Sequence, residues 1–174
     1  MRIGLCATAL GIAMLGTIAV AQSVNYDYDK SADFSRFKTY AWVPGTALKD
    51  ELNHKRVVSA IDSQLAAKGL SRVEGERGAD MLVAYHANFD ENVQINGYSS
   101  GFGGPRFGNF SGTATTQRVV TGTLVVDMMD ANTRTIVWRG SAEHDQNPGA
   151  KPEKRDKNIT KATEKIFKNY PPKP

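Results

Sequence analysis

The sequence predicts an α+β fold, a two-layer sandwich in which a mostly antiparallel sheet carries two amphipathic helices on one face. Three observations carry that expectation. Segments with a strand-like period of two outnumber segments with a helical period. Two stretches, one early and one at the end of the chain, repeat apolar residues at helical spacing. A short polar link also joins the last two strand-like segments as an antiparallel hairpin. One apolar sheet face with two apolar helical stripes to cover it closes as two layers.

The elements follow in order. Val24-Asn25-Tyr26-Asp27-Tyr28-Asp29 alternates apolar or aromatic with polar residues, the pattern of a half-buried strand. Asp33 to Phe37 reads as a turn, and Thr39 to Val43 as a second strand stopped by Pro44-Gly45. From about Leu48 the period lengthens, and Leu52, Val57, Val58, Ile61 and Leu65 are assigned to one helical face. Gly69 sits where a left-handed residue ends a helix, with Leu70 folding back onto the last turn. Asp80–Asp90 puts Met81, Val83, Tyr85 and Phe89 on one parity. Val119–Met129 aligns Val120, Leu124, Val126 and Met128. Arg134–Glu143 aligns Ile136, Trp138 and Ala142 opposite Val137, Arg139 and Glu143. The turn-forming link Asp130-Ala131-Asn132-Thr133 then demands even-with-even pairing, for example Val126 opposite Trp138 with Asp127 diagonal to Arg139. A last helix opens at Pro152-Glu153, buries Ile159, Ala162, Ile166, Phe167 and Tyr170, and stops at Pro171-Pro172. Trp42 and Trp138 lie in apolar strand patterns and are expected to anchor the core.

Residues 1–21 read as a secretory signal: a positive start at Met1-Arg2, an apolar run from Ile3 to Val20, and the small-x-small site Ala19-Val20-Ala21. Cleavage is expected after Ala21, leaving Gln22 first, a single domain over 22–170 and a Pro-rich tail at 171–174. The expected compartment is periplasmic or extracellular, with no transmembrane span in the mature chain. The one cysteine, Cys6, lies inside the signal, so packing rather than disulfides must hold the domain. Cys6 comes too early to belong to a lipobox. Charge is uneven. Residues 151–174 hold eight basic and three acidic residues, a balance of +5 against +4 for the whole chain. That bipolar distribution argues against a nucleic-acid binder.

Three ordered stretches carry a family resemblance. They are Asp33-Phe34-Ser35-Arg36-Phe37-Lys38-Thr39-Tyr40-Ala41-Trp42, then Ala79-Asp80-Met81-Leu82-Val83-Ala84-Tyr85, and finally Gly122 to Asp130 continuing to Ile136-Val137-Trp138-Arg139-Gly140. Together they resemble the bacterial domain-of-unknown-function family 4136, over nearly the whole mature chain. The resemblance implies an exported envelope protein of Gram-negative bacteria, often a lipoprotein, with no established reaction and no catalytic residues to carry over. The missing lipobox is a departure from that pattern, so outer-membrane association would need another tether.

Four features of the sequence bear on chemistry. Gly97-Tyr98-Ser99-Ser100-Gly101 spells G-x-S-x-G, with Asp127 and His144 following in hydrolase order, which gives an alternative reading as a small serine hydrolase centred on Ser99. Phe102-Gly103-Gly104-Pro105 follows where the mechanism needs a helix, so no catalytic residue is assigned. The stretch 96–112, with six glycines and the aromatics Tyr98, Phe102, Phe107 and Phe110, is expected to be a long loop. Tyr98, Phe102, Arg106, Phe107 and Phe110 are its candidate contacts. His54, His86 and His144 form no local metal-binding pair, so neither a metal nor a cofactor is expected. Lys154, Lys157, Lys161 and Lys165, with Lys168, recur at three- and four-residue steps and make a basic helical stripe beside the apolar face. The favoured function is a non-enzymatic domain that contacts anionic envelope material or an envelope protein. An outer-membrane-associated assembly factor is a further alternative.

Overall fold

The computed structural model describes residues 23–99, 112–146 and 149–173. Six strands and two helices follow one another as β1 (Ser23–Tyr28), β2 (Thr39–Trp42), α1 (Glu51–Ala67), β3 (Ser71–Arg72), β4 (Met81–Ser99), β5 (Gly112–Asp130), β6 (Ile136–Gln146) and α2 (Pro152–Phe167). A 3-10 turn at Phe34–Arg36 joins β1 to β2. The strands form one sheet in the order β1-β6-β5-β4-β2-β3. β2 runs parallel to both β3 and β4, and the other pairings are antiparallel. Both helices cover the same face, as the expected α+β sandwich requires.

α1 starts where Asp50 accepts hydrogen bonds from the amides of Leu52 (2.9 Å) and Asn53 (3.2 Å), donors that the helix itself leaves unpaired. Replacing Asp50 by Ala should lower stability by about 1 kcal/mol, seen as a smaller urea midpoint at unchanged slope. The helix ends as the sequence foretells. Gly69, at φ +85°, donates to Ala66, and Leu70 donates to Leu65 and is buried beneath that turn. Val57, Ile61 and Leu65 are buried, but Leu52 is 64% exposed. Five residues before Val57 turn the helix through about 500°, which carries Leu52 roughly 140° away from the buried stripe.

Met81, Val83 and Tyr85 of β4 and Val126 and Met128 of β5 form the sheet side of the core. Tyr40 and Trp42 of β2 both donate to Asp62 of α1, at 2.7 and 2.8 Å, and Arg72 of β3 donates to its second oxygen at 3.0 Å. One carboxylate thus ties the helix to the parallel edge of the sheet. Beneath α2, Trp138 is fully buried, stacked on Phe167 at 5.3 Å and edge-on to Tyr170 at 5.4 Å.

Three sequence expectations are corrected. Pairing between β5 and β6 is even-with-even, but Met128 rather than Val126 faces Trp138, and Asp127 lies directly opposite Arg139. Their contact is bidentate, with Nε to Oδ1 at 2.5 Å and Nη2 to Oδ2 at 2.7 Å. Ile136 does not share the face of Trp138. A β-bulge after Met128 leaves Val137 unopposed, so Ile136 pairs with Met129 and is 45% exposed while Val137 is buried. The third correction concerns 96–112. β4 and β5 stay in register out to Ser99 opposite Gly112, so Asn96–Ser99 are paired strand rather than loop. β6 ends opposite Val120. Among the described residues, Asn92–Ser99 and Gly112–Val119 therefore pair only with each other, as a two-stranded arm.

Candidate functional site

Ser99 of the G-x-S-x-G stretch is paired strand opposite Gly112, and Ser100 and Gly101 lie outside the described residues. Asp127 faces Ala84, fifteen residues back along β4, so roughly 50 Å separates it from Ser99. His144 faces Gly122, which faces Phe89, so it lies on the order of 30 Å away. The three groups proposed for the hydrolase alternative are not brought together. Tyr98 lies on the arm opposite Thr113, while Phe102, Arg106, Phe107 and Phe110 lie outside the described residues, as do Ala21 and Gln22.

The histidines also stay apart. His54 Nδ1 meets the Tyr85 hydroxyl at 2.5 Å. His86 bonds Thr46 through Nδ1 at 3.0 Å and approaches Asp127 with Nε2 at 3.5 Å, on the uncovered face of the sheet. Among the described residues no group of three or more His, Cys, Asp or Glu is arranged to hold a metal ion. No helix among them is long and apolar enough to cross a membrane.

α2 presents its lysines as a surface. Lys154, Lys157, Lys161, Lys165 and Lys168 are all exposed, and no ion pair engages them among the described residues. At about 100° per residue they span roughly 80° of the helix. That arc lies nearly opposite the buried Thr163, Ile166 and Phe167, rather than beside them. The five ammonium groups therefore point to solvent, and among the described residues none makes an ion pair, although Glu153 and Glu164 flank one edge of the arc.

A second feature was not foreseen from sequence. At the end of the sheet away from the arm, a cleft of about 630 Å³ opens between the end of β1, the 3-10 turn, the C-terminus of α1 and residues 170–173. Phe34, Phe37, Leu70, Tyr170, Pro171 and Pro172 supply much of its wall. Lys30, Lys38, Lys68 and Lys173 also line it. The turn is held firmly. Asp80 accepts from the amides of Lys38 and Thr39, each at 2.9 Å, and these bonds hold its carboxyl below the usual range. The Arg36 guanidinium donates to Asp130, a buried carboxylate. Burial alone would raise Asp130, but the amides of Asn132 and Thr133, with Arg36, bring its carboxyl below the ordinary value. Phe34 and Phe37 meet edge-to-face at 6.0 Å, and Phe34 meets Tyr170 in the same way at 6.0 Å. The only hint in sequence was the density of rings between Tyr26 and Phe37, since the remaining walls come from distant segments.

Comparison with known proteins places the fold. The family model described as Domain of unknown function (DUF4136) matches residues 24–172. Among solved structures, the chain is similar to a DUF4136 family protein from Bacteroides thetaiotaomicron, at TM-score 0.53 and 16% identity, covering 86% of this chain and 96% of that one. It is also similar to PelC from Paraburkholderia phytofirmans, solved as a dodecamer, at TM-score 0.53 and 10% identity, covering 84% of this chain and 95% of that one. A PDZ domain protein from Parabacteroides distasonis matches at TM-score 0.54 and 15% identity, covering 88% of this chain and only 37% of that one. At such identities the likeness is one of fold alone. A comparison with curated proteins found no match.

Proposed function

Since the chain belongs to the family described as Domain of unknown function (DUF4136), we propose that it is a non-enzymatic domain of the cell envelope that holds anionic envelope material against the lysine face of α2. The observation that carries this reading is the set of five exposed lysines that make no ion pair among the described residues. A solvated helix needs only some charge for solubility, and alternating signs would serve it equally well. A single-sign stripe on a helix anchored by Ile166 and Phe167 instead offers a rigid, cationic surface. The reading takes the protein as exported, on the strength of the Met1–Ala21 pattern. At about 0.15 M salt the screening length is about 8 Å, so the contact is short-ranged and salt-sensitive.

Each lysine near an anionic surface contributes about 1 kcal/mol, so reversing three of them should weaken binding by a hundredfold or more. The variant Lys157→Glu, Lys161→Glu, Lys165→Glu should lose co-sedimentation with phosphatidylglycerol vesicles at low salt, with the wild type released as salt is raised. A wild type that stays in the supernatant at low salt would end this reading. So would a triple variant that sediments normally.

A further inference from the structure

We propose that the cleft lined by Phe34, Phe37, Tyr170 and four lysines binds one anionic amphiphile, an acyl chain carrying a phosphate or carboxylate head. The site is separate from the lysine face of α2, none of whose five lysines lines it. Its volume of about 630 Å³ falls within the range of small-molecule pockets, roughly 300–1,000 Å³. Its apolar wall is pre-formed, because Phe37 and Leu70 are themselves buried core residues, Asp130 holds the 3-10 turn through Arg36, and Asp80 holds Lys38 and Thr39 just after it.

Two observations select the ligand's chemistry. The first is charge. Four lysines line the cleft against two carboxylates, Asp29 and Asp33. Both carboxylates are already engaged by their own turns, Asp29 with the hydroxyl and amide of Ser31 and Asp33 with those of Ser35. The lysines make no ion pair among the described residues, so the excess is positive and unmet. The second is Tyr170. It is only 3% exposed, its ring packs on Phe34 and Trp138, and its hydroxyl has no hydrogen-bond partner among the described residues. The hydroxyl itself keeps access to water, and a polar ligand head can take the place of that water. An apolar wall, four lysines and a hydroxyl without a protein partner among the described residues together match a tail with an anionic head. Neither a sugar nor an inorganic anion uses all three.

Isothermal titration calorimetry on the purified protein tests this with decyl phosphate and decanoate below their micelle concentrations, beside decyl maltoside and inorganic phosphate. One-site saturation by decyl phosphate or decanoate is expected, and the two arms show which head the site prefers. Lys38→Glu with Lys68→Glu should weaken that binding at least tenfold, and Tyr170→Phe about threefold with an unchanged melting temperature. Ala32→Trp, which fills the cleft, should abolish it. The α2 triple variant should bind decyl phosphate like the wild type, which separates this site from the vesicle contact. The proposal falls if inorganic phosphate or decyl maltoside binds as tightly as the anionic amphiphiles. It falls equally if neither anion saturates the protein, or if a folded Ala32→Trp binds normally. Should Ala32→Trp lose its near-ultraviolet circular dichroism, the lysine pair decides the matter alone.

Discussion

Trp138→Ala should destabilise the protein by about 3–5 kcal/mol, enough to leave a domain of ordinary stability largely unfolded at modest urea. The indole is fully buried and forms the contact between β6 and α2, stacking on Phe167 and meeting Tyr170 edge-on. Its neighbour Gly140 leaves room for it. A methyl group there would come within 2.3 Å of the indole ring and 2.7 Å of Ile166. Truncation to Ala thus opens a cavity between two elements that have little freedom to close it. The indole nitrogen is also buried without a hydrogen-bond partner among the described residues, so the side chain carries an uncompensated polar cost. Trp138→Phe keeps a ring against Phe167 and removes that N–H, so its loss should be clearly smaller than that of Ala. Urea unfolding of the two variants checks both statements, and equal losses would refute the account.

Gly45→Ala should cost about 2–4 kcal/mol through backbone geometry rather than lost burial. Residues 43–46 run alongside β4, with Val43 donating to the carbonyl of Val83 at 2.9 Å and Thr46 accepting from Ala87 at 3.0 Å. A methyl on Gly45 would sit 2.1 Å from the carbonyl oxygen of Tyr85 and 3.0 Å from its carbon. Those atoms belong to a central strand and have no rotamer to change, so the 43–46 segment must lift away and give up its bonds to β4. Urea unfolding measures the cost, and hydrogen exchange should show faster exchange at Val43 and Ala87. A variant as stable as the wild type would show that the segment is not held against β4.

How much of this was legible in sequence depends on how local each signal is. The helices and their ends were readable, because Gly69-Leu70 and Pro152 act within one turn of their own position. The layer order followed from counting apolar faces. Ile136 was misassigned because a bulge adds one residue to one strand, which reverses parity beyond it without any mark in composition. The arm escaped for a related reason. Asn, Gln, Thr and Gly in Asn92–Ser99 and Gly112–Thr116 resemble loop residues, whereas strand pairing there is set by register inherited from Met81–Phe89. The three- and four-residue steps mark the lysines as one helical row but do not fix its angle to Ile166, and the row lies opposite the buried face rather than beside it. The cleft was beyond reach, because its walls are joined only by folding: residues 28–38, 68–70 and 170–173 are far apart in the chain.

The same two strands that make the arm continue without a break into the middle of the sheet, where Met81–Tyr85 and Val126–Asp130 lie beneath the helices. A tug on the tip therefore runs along the strand axis. It loads the β5–β6 ladder in shear, with many bonds resisting together rather than parting one after another. The arm is in that sense a handle rooted in the hydrophobic core, and force applied along it is borne by the central strands.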